Sequence, residues 1–279
     1  MIAATNTSPL LLNVPQTLKV LGIFIHDELR RFGLSKAVLG LSGGVDSALS
    51  AFLTARAIGA ENVHCVMMPY RTSSPESLTD AQKVIDALGC TSERIEITPM
   101  IEPLFEADPE MDKLRKGNVM ARMRMIVLYD RSAKHKALVI GTSNKSEGLL
   151  GYTTHYGDSA SAINPLGDLY KSQVWELAEA VGVPESILRK APSADLWVGQ
   201  VSEEELGLKY REIDILLYYM VDCRESDEEL IARGFEKEYI SKTRIRIRNA
   251  QFKRMPPVIA KVAERTINTD FRYPRDWGS

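Results

Sequence analysis

Hydrophobic residues in this chain recur at two spacings, and the order in which the spacings alternate predicts a layered α/β fold. Over residues 15–31, Leu18, Leu21, Ile25 and Leu29 fall on one helical face, with Lys19, Asp27, Arg30 and Arg31 mostly opposite. The unbroken apolar run at 37–41 predicts a buried strand. Leu49, Phe52, Leu53 and Ala57 then return to helical spacing as far as about Ile58. A second buried strand is expected at 63–68, stopped by Pro69, and a polar, turn-rich stretch follows at 70–77. Leu78, Ala81, Val84, Ile85 and Leu88 make an amphipathic helix ended by Gly89. A short third strand is expected at 94–97 and a fourth at 137–140. Between them lies a long helix at 116–134, packed through Val119, Met123, Ile126, Val127 and Tyr129. Val174, Leu177, Ala178 and Val181 mark a further helix, and helical pieces are expected at 210–222, 227–234 and 238–249. Residues 1–13 form a loose lead-in, and Phe271, Tyr273 and Trp277 close the chain as an aromatic tail.

Strands separated by helices of this length predict a Rossmann-like, doubly wound parallel sheet with helices on both faces. Ligands in such sheets bind beyond the carboxyl ends of the strands. The 279 residues fit a single domain, with a core over about 15–190 and a lid and helical C-terminal region over about 191–279. The segment 192–207 mixes glycine, acidic residues and one tryptophan, which predicts a mobile lid.

Composition narrows the function classes. Hydrophobic residues make up 44% and charged residues 26%, as in an ordinary globular protein. No apolar run approaches the ~20 residues that span a bilayer, and the N-terminus lacks a basic-then-apolar leader pattern. The three cysteines, Cys65, Cys90 and Cys223, are scattered without metal-like spacing. A cytoplasmic setting with no membrane association is expected. The net charge of −2 gives no field for nucleic acid, so no nucleic-acid partner is expected.

The chemistry starts at Gly40-Leu41-Ser42-Gly43-Gly44-Val45-Asp46-Ser47, between the first strand and the helix after it. A helix that begins this way points free backbone N–H groups and the positive end of its dipole at whatever lies over the loop. Glycines let the backbone close around an anion, and Ser42 and Ser47 add hydroxyl donors. Asp46 would repel a phosphate unless a divalent cation lay between them, so the loop asks for a magnesium–polyphosphate. The lysine of a kinase-type P-loop is missing, and so is the dinucleotide fingerprint.

A second informative loop, Gly141-Thr142-Ser143-Asn144-Lys145-Ser146-Glu147, follows the fourth strand. Asn144 and Glu147 have capping-box spacing. The same position brings a carboxylate to the sheet edge that carries Asp46, where one magnesium can bridge both. Lys171 falls in the first turn of the helix after Asn164-Pro165-Leu166-Gly167, where the dipole disfavours a cation, and so calls for an anion partner.

S-G-G-V-D-S resembles the pyrophosphate-binding loop of N-type ATP pyrophosphatases. Taken with RMRMIVLYD, GTSNKSE, YGDS, NPLGDLYKSQVWELA, PSADLW and ELG–Y–ID in the same order, it resembles ammonia-dependent NAD synthetase. That resemblance implies a homodimer in which ATP adenylates the carboxylate of deamido-NAD and ammonia displaces AMP. It also implies that residues 40–47, Arg71, Thr142, Lys171 and Ser193 contact ATP, and that Asp46 and Glu147 ligate magnesium. Arg122, His155, Ala162, Phe252 and Lys253 fall on the deamido-NAD side. Asp46, Lys171 and Asp158 form the catalytic set.

The departures from the family pattern cluster on the acid side. His155 stands where a lysine is usual, Ala162 where an aspartate is usual, and Phe252 where a histidine is usual. The competing readings are a ligase amidating another carboxylic acid, a tRNA-modifying pyrophosphatase and a non-catalytic nucleotide-binding protein. A glutaminase domain would need a nucleophilic cysteine and more chain, so free ammonia is the expected donor, with room for a separate glutaminase partner.

Overall fold

The computed structural model describes residues 8–197, 199–267 and 270; the aromatic tail read in the sequence lies outside them. Four strands form one parallel sheet: β1 (Lys36–Gly40), β2 (Val63–Met67), β3 (Thr91–Arg94) and β4 (Ala137–Val139), in the order β3-β2-β1-β4. Registers such as Leu39 opposite Cys65 and Val38 opposite Val139 line up side chains of one face across neighbouring strands. Apart from Lys36 and His64 near their N-terminal ends, the central strands are apolar, as sheets covered on both faces require.

One face carries α1 (Val14–Arg31), α2 (Val45–Ile58), α3 (Pro75–Leu88) and α7 (Lys171–Val181). Leu39, Cys65, Leu49, Leu53, Val84 and Leu177 meet in its core. The helix ends follow local chemistry. Asn13 accepts from the Gln16 amide at the start of α1, and Gly89 takes the left-handed conformation that stops α3.

The other face carries α4 (Thr98–Ala107) and α5 (Lys113–His135), packed on Val38, Val66 and Val139 through Ile101, Phe105, Met120 and Val127. Ile126 and Tyr129, expected in the core, are 53% and 41% exposed: they project from α5 on the side turned away from the sheet. Helix α4 has no counterpart in the sequence reading, because Pro99 and Pro103 break the pattern there. Pro99 sits in its first turn, where a missing N–H costs nothing.

The third strand lies earlier than expected. Its residues are polar because it is the sheet edge. Ile95 and Ile97 continue the pairing, donating to the Met67 and Pro69 carbonyls at 2.8 and 2.9 Å.

A second core lies beside the sheet. Helices α6 (Lys145–Leu150), α10 (Tyr210–Leu217), α11 (Asp227–Ala232) and α12 (Lys237–Asn249) bury Leu150, Tyr210, Ile213, Leu216 and Ile240. Two short helices, α8 (Glu185–Leu188) and α9 (Ser202–Leu206), complete the α-helices among the described residues. Leu10, from the expected loose lead-in, is buried in this cluster, and its carbonyl accepts from Gln173.

Candidate active site

The loop after β1 folds as its composition asks. Gly43 has φ +78°, and a Cβ there would fall on the Ser77 carbonyl, so only glycine fits. Ser42 Oγ and Ser47 Oγ lie 3.0 Å apart, and Ser47 Oγ donates to the Gly44 carbonyl at 3.1 Å. Helix α2 starts behind Gly44 with no side-chain cap, and the first helical bond runs from the Ala48 amide to the Gly44 carbonyl. The amides of Val45, Asp46 and Ser47 therefore point out of the helix end, where an anion binds.

Three charged groups from distant parts of the chain meet over that helix end. Lys171 Nζ donates to Asp46 Oδ2, and to Glu147 Oε1 at 3.1 Å. Lys171 is only 2% exposed. Its anion partners in the ligand-free chain are thus carboxylates. Glu147 does the capping job: Oε2 accepts from the Asn144 amide and closes the capping box, while Oε1 faces Lys171. Asn144 Nδ2 also donates to Asp46 Oδ1 at 2.8 Å, tying the two loops together.

Burial is the largest influence on Glu147 and pushes its carboxyl up to about 7; the Asp46 charge adds to this and the Lys171 ammonium opposes it. Burial also opposes the charge of Lys171, but the Asp46 and Glu147 carboxylates outweigh it and hold the lysine above its ordinary range. Underneath, Asp214 accepts from Ser146 Oγ at 2.5 Å and from the Ser172 amide and hydroxyl at 2.8 and 2.7 Å. Ser146 Oγ in turn accepts from the Lys171 amide at 2.9 Å. The fully buried Asp214 thereby clamps the start of α6 to the start of α7.

The residues assigned to the acid side lie around the 151–162 loop. The His155 ring stacks on Tyr156 at 3.8 Å and meets Phe252 edge-on at 5.9 Å. Phe252 is 60% exposed. Arg122 Nε donates to the His155 carbonyl at 3.3 Å. Asp158 accepts from the Thr154 amide at 2.8 Å, and its carbonyl accepts from Ser143, which joins this loop to the one carrying Asn144. Lys253 Nζ donates to the Gly151 and Thr153 carbonyls at 2.7 and 2.6 Å. Ala162 lies apart from that ring cluster, exposed, with its amide on the Val139 carbonyl.

The remaining assigned residues are spread along the rim. Thr142 lies in the loop between β4 and α6. Arg71 is exposed and pairs with Glu102 of α4 at 3.4 Å, with its amide on Thr98 Oγ1. Ser193 Oγ accepts from the Asp195 amide at 3.0 Å. The expected lid is tethered rather than loose. Asp195 accepts from the Ser74 amide, Gln200 bonds the Leu196 amide and Glu205, and Leu196 and Trp197 rest on Gly117 of α5. A cleft of about 650 Å³ between α1 and α2, lined by residues including Leu18, Ile23 and Leu53, contains none of these groups.

The family model for NAD synthase matches residues 17–257, a span that includes every one of these loops. The chain belongs to the NAD synthase family. Among relatives, the NH(3)-dependent NAD(+) synthetase of Trichlorobacter lovleyi is 55% identical over 271 residues, covering 97% of this chain and 99% of that protein. Among solved structures, the NH3-dependent NAD synthetase of Campylobacter jejuni, in complex with the nitrate ion, superposes with TM-score 0.77 at 34% identity, covering 90% and 100% of the two chains. The NMN synthetase of Francisella tularensis superposes with TM-score 0.78 at 31% identity, covering 89% and 99%.

Two residues of this family member had no role assigned from the sequence. Asp214 is one: it closes the ELG–Y–ID string, and its signal is a single carboxylate inside the apolar run Ile213-Asp214-Ile215-Leu216-Leu217. Arg124 is the other. Its Nε donates to the Met68 carbonyl at 3.0 Å, on the same rim as the 70–77 loop. Burial lowers its pKa, and the Asp195 and Asp158 charges act against that. In Arg122-Met123-Arg124 the sequence offered two arginines two residues apart, and only the first was chosen.

Proposed function

We propose that this chain is an ammonia-dependent NAD synthetase, a ligase that amidates deamido-NAD at the expense of ATP. The observation that carries this reading is the meeting of Asp46, Lys171 and Glu147 over the uncapped start of α2. A carboxylate is a poor electrophile, so its oxygen first attacks the α-phosphorus of ATP and the bond to pyrophosphate breaks. Ammonia nitrogen then attacks the acyl carbon, AMP leaves, and the nitrogen loses a proton to give the amide.

The chain's groups divide this work by charge. The amides of Val45 to Ser47, with Ser42 and Ser47, receive the departing pyrophosphate. Lys171 turns from its carboxylates to the phosphates and neutralises the charge that grows there. Arg71, Thr142 and Ser193 complete the ATP site around the rim. Asp46 and Glu147 suit magnesium: both offer hard oxygens, and both are oriented by Asn144. When bound, that ion supplies Lewis-acid polarisation of the phosphate oxygens. On the acid side, Arg122 and Lys253 face the dinucleotide, His155, Tyr156 and Phe252 present rings to it, and Asp158 holds the loop that positions them.

We assign a homodimer as the working form. Helices α4 and α5 leave Met100, Leu104, Leu114, Ile126 and Tyr129 exposed, and a second copy that covers them removes this apolar surface from water. Among the described residues no helix is long and apolar enough to cross a membrane, and Cys65, Cys90 and Cys223 are free thiols, in keeping with a cytoplasmic enzyme.

Mass spectrometry of products from ATP, magnesium, ammonium and a panel of acids tests the reading. Deamido-NAD should yield NAD, AMP and pyrophosphate in equal amounts, and glutamine alone should not replace ammonium. The panel includes the acid form of NMN because of the Francisella neighbour. AMP release with that acid or another, and none with deamido-NAD, would overturn the substrate and leave the adenylation chemistry standing.

A further inference from the structure

At the sheet end opposite the candidate active site, three side chains converge that amidation does not use. His64 on β2, Glu93 on β3 and His135 at the last residue of α5 each offer one ligand atom, and the three atoms lie within 4.8 Å of one another. His64 pairs in register with Thr91, two residues before Glu93, so both strands present these groups to the face that α5 covers. A surface cavity of about 260 Å³ opens there, with His64, Thr91 and His135 in its lining.

The hydrogen bonds determine where protons sit. Thr91 Oγ1 donates to the Val63 carbonyl at 2.9 Å, which commits its one proton. With that proton on the carbonyl, the Oγ1 lone pair faces His64 Nδ1 at 3.0 Å, an arrangement that puts the ring hydrogen on Nδ1. In a neutral ring the other nitrogen, Nε2, then presents a lone pair, and it faces Glu93 Oε1 at 3.0 Å. Acceptor meets acceptor, so a cation belongs between them: a second proton on His64 or a metal ion. Arg131 Nε donates to the same Oε1 at 2.6 Å, and no described hydrogen bond engages Oε2. The His135 ring lies 4.3 Å from that of His64, and its Nε2 is buried without a partner. Burial first, then the neighbouring His64, lowers the His135 pKa and favours the neutral ring that metals bind. Protonating His64 answers only the first contact and leaves His135 Nε2 unpaired, which is unfavourable for a buried polar atom. One metal ion answers both.

We propose that His64, Glu93 and His135 bind a single divalent transition-metal ion of the zinc class. Two imidazoles and one carboxylate, open on the cavity side, suit zinc, cobalt(II) or nickel(II) and not magnesium, which prefers oxygen ligands throughout. The Thr91–His64 and Arg131–Glu93 bonds are the outer contacts that orient such ligands. The ion ties β2 and β3 to the end of α5. The proposal stands apart from the amidation reading.

Titration of the chelator-stripped full chain with cobalt(II) tests it. One equivalent should bind with the d–d absorption of a four- or five-coordinate nitrogen/oxygen site, be displaced by zinc and be indifferent to excess magnesium. H135A should weaken binding at least ~10-fold, and T91V about 10–100-fold through the lost tautomer lock. D46N should bind as the wild type does. Zinc should raise the melting temperature of the wild type and not that of H135A, whose metal-free form should melt within a few degrees of the wild type. A six-coordinate cobalt spectrum, binding indifferent to H135A and T91V, or binding lost in D46N instead would overturn the proposal.

Discussion

The two ends of the candidate active site are built on opposite principles. At the ATP end, Asp46, Asn144, Glu147 and Lys171 are joined by direct hydrogen bonds, Asp214 joins them through Ser146 and Ser172, and each charge has a partner within the chain. At the acid end, rings stand in solvent and the nearby cations are spent on carbonyls: Lys253 on Gly151 and Thr153, and Arg254 on Gly148, Leu149 and Ile247. The first end is organised before any ligand arrives. The second offers surface and shape, and needs its ligand or a second copy to complete it. The contrast bears on substitution: each member of the coupled charge cluster is held by its partners, whereas the open aromatic wall at His155 and Phe252 has room to change its side chains.

The sharpest test of the closed end is its carboxylate pair, the proposed magnesium ligands. Glu147→Gln keeps the capping box, since glutamine serves at that position too, but it removes a charged oxygen. Losing several kcal/mol of charge stabilisation should lower the rate of AMP formation on the order of a thousandfold. Asp46→Asn should do the same, with partial rescue of the weaker variant by excess magnesium. Normal turnover in Glu147→Gln would reduce that residue to a helix cap.

Lys171→Met should cost somewhat less catalysis and more stability. Removing one transition-state contact of this type costs ~2.7–4 kcal/mol, so kcat should fall about 100–1,000-fold. The variant also leaves two carboxylates without their cation, which a lowered melting temperature at pH 8 should show. An unchanged kcat with weaker ATP binding would mean that Lys171 holds only ground-state phosphate.

Acidity gives a third handle. The Glu147 carboxyl is raised to about 7 when folded, above its ordinary value near 4.3. The folded state therefore binds this proton more tightly, and Glu147 destabilises the fold progressively as pH rises from about 4.5 to about 7. Glu147→Gln has no such term. Its stability relative to wild type should rise across that window in denaturant titrations at pH 5 and pH 8, and a difference that does not vary would remove the coupling argued here.

The open end should respond mildly. Phe252→Ala removes the edge contact to His155, worth ~0.5–1.5 kcal/mol, so KM for the acid should rise about 2–10-fold while KM for ATP stays put. An equal rise for both substrates would show that the two ends are not separate.

What could be read from the sequence tracks how local each cause is. The glycine loop, the cap at Gly89 and the Asn144–Glu147 box are properties of a few neighbouring residues, and each appears in the structure where the pattern put it. That Lys171 sought an anion was legible from its place in a first turn. Which anion it found was not, because Asp46 lies 125 residues away. Asp214 looked like one more helix residue until α6 and α7 closed over it. Ile126 and Tyr129 carry the right spacing for a core face, but spacing says nothing of which neighbour a helix will cover, or whether that neighbour is the same chain.

Helix α6 is held at both ends, and this has a mechanical consequence. Its six residues span only ~9 Å. The Asn144 cap and Asp46 grip its N-terminus. Its last carbonyls are gripped by Lys253 and Arg254, and Gly151 lies so close to Ala250 that a Cβ would collide with it. A strut this short, held at both ends, fixes the spacing between residues 250–254 and the turn that carries Glu147. Phe252 is thus presented from a rigid support rather than from a loose tail.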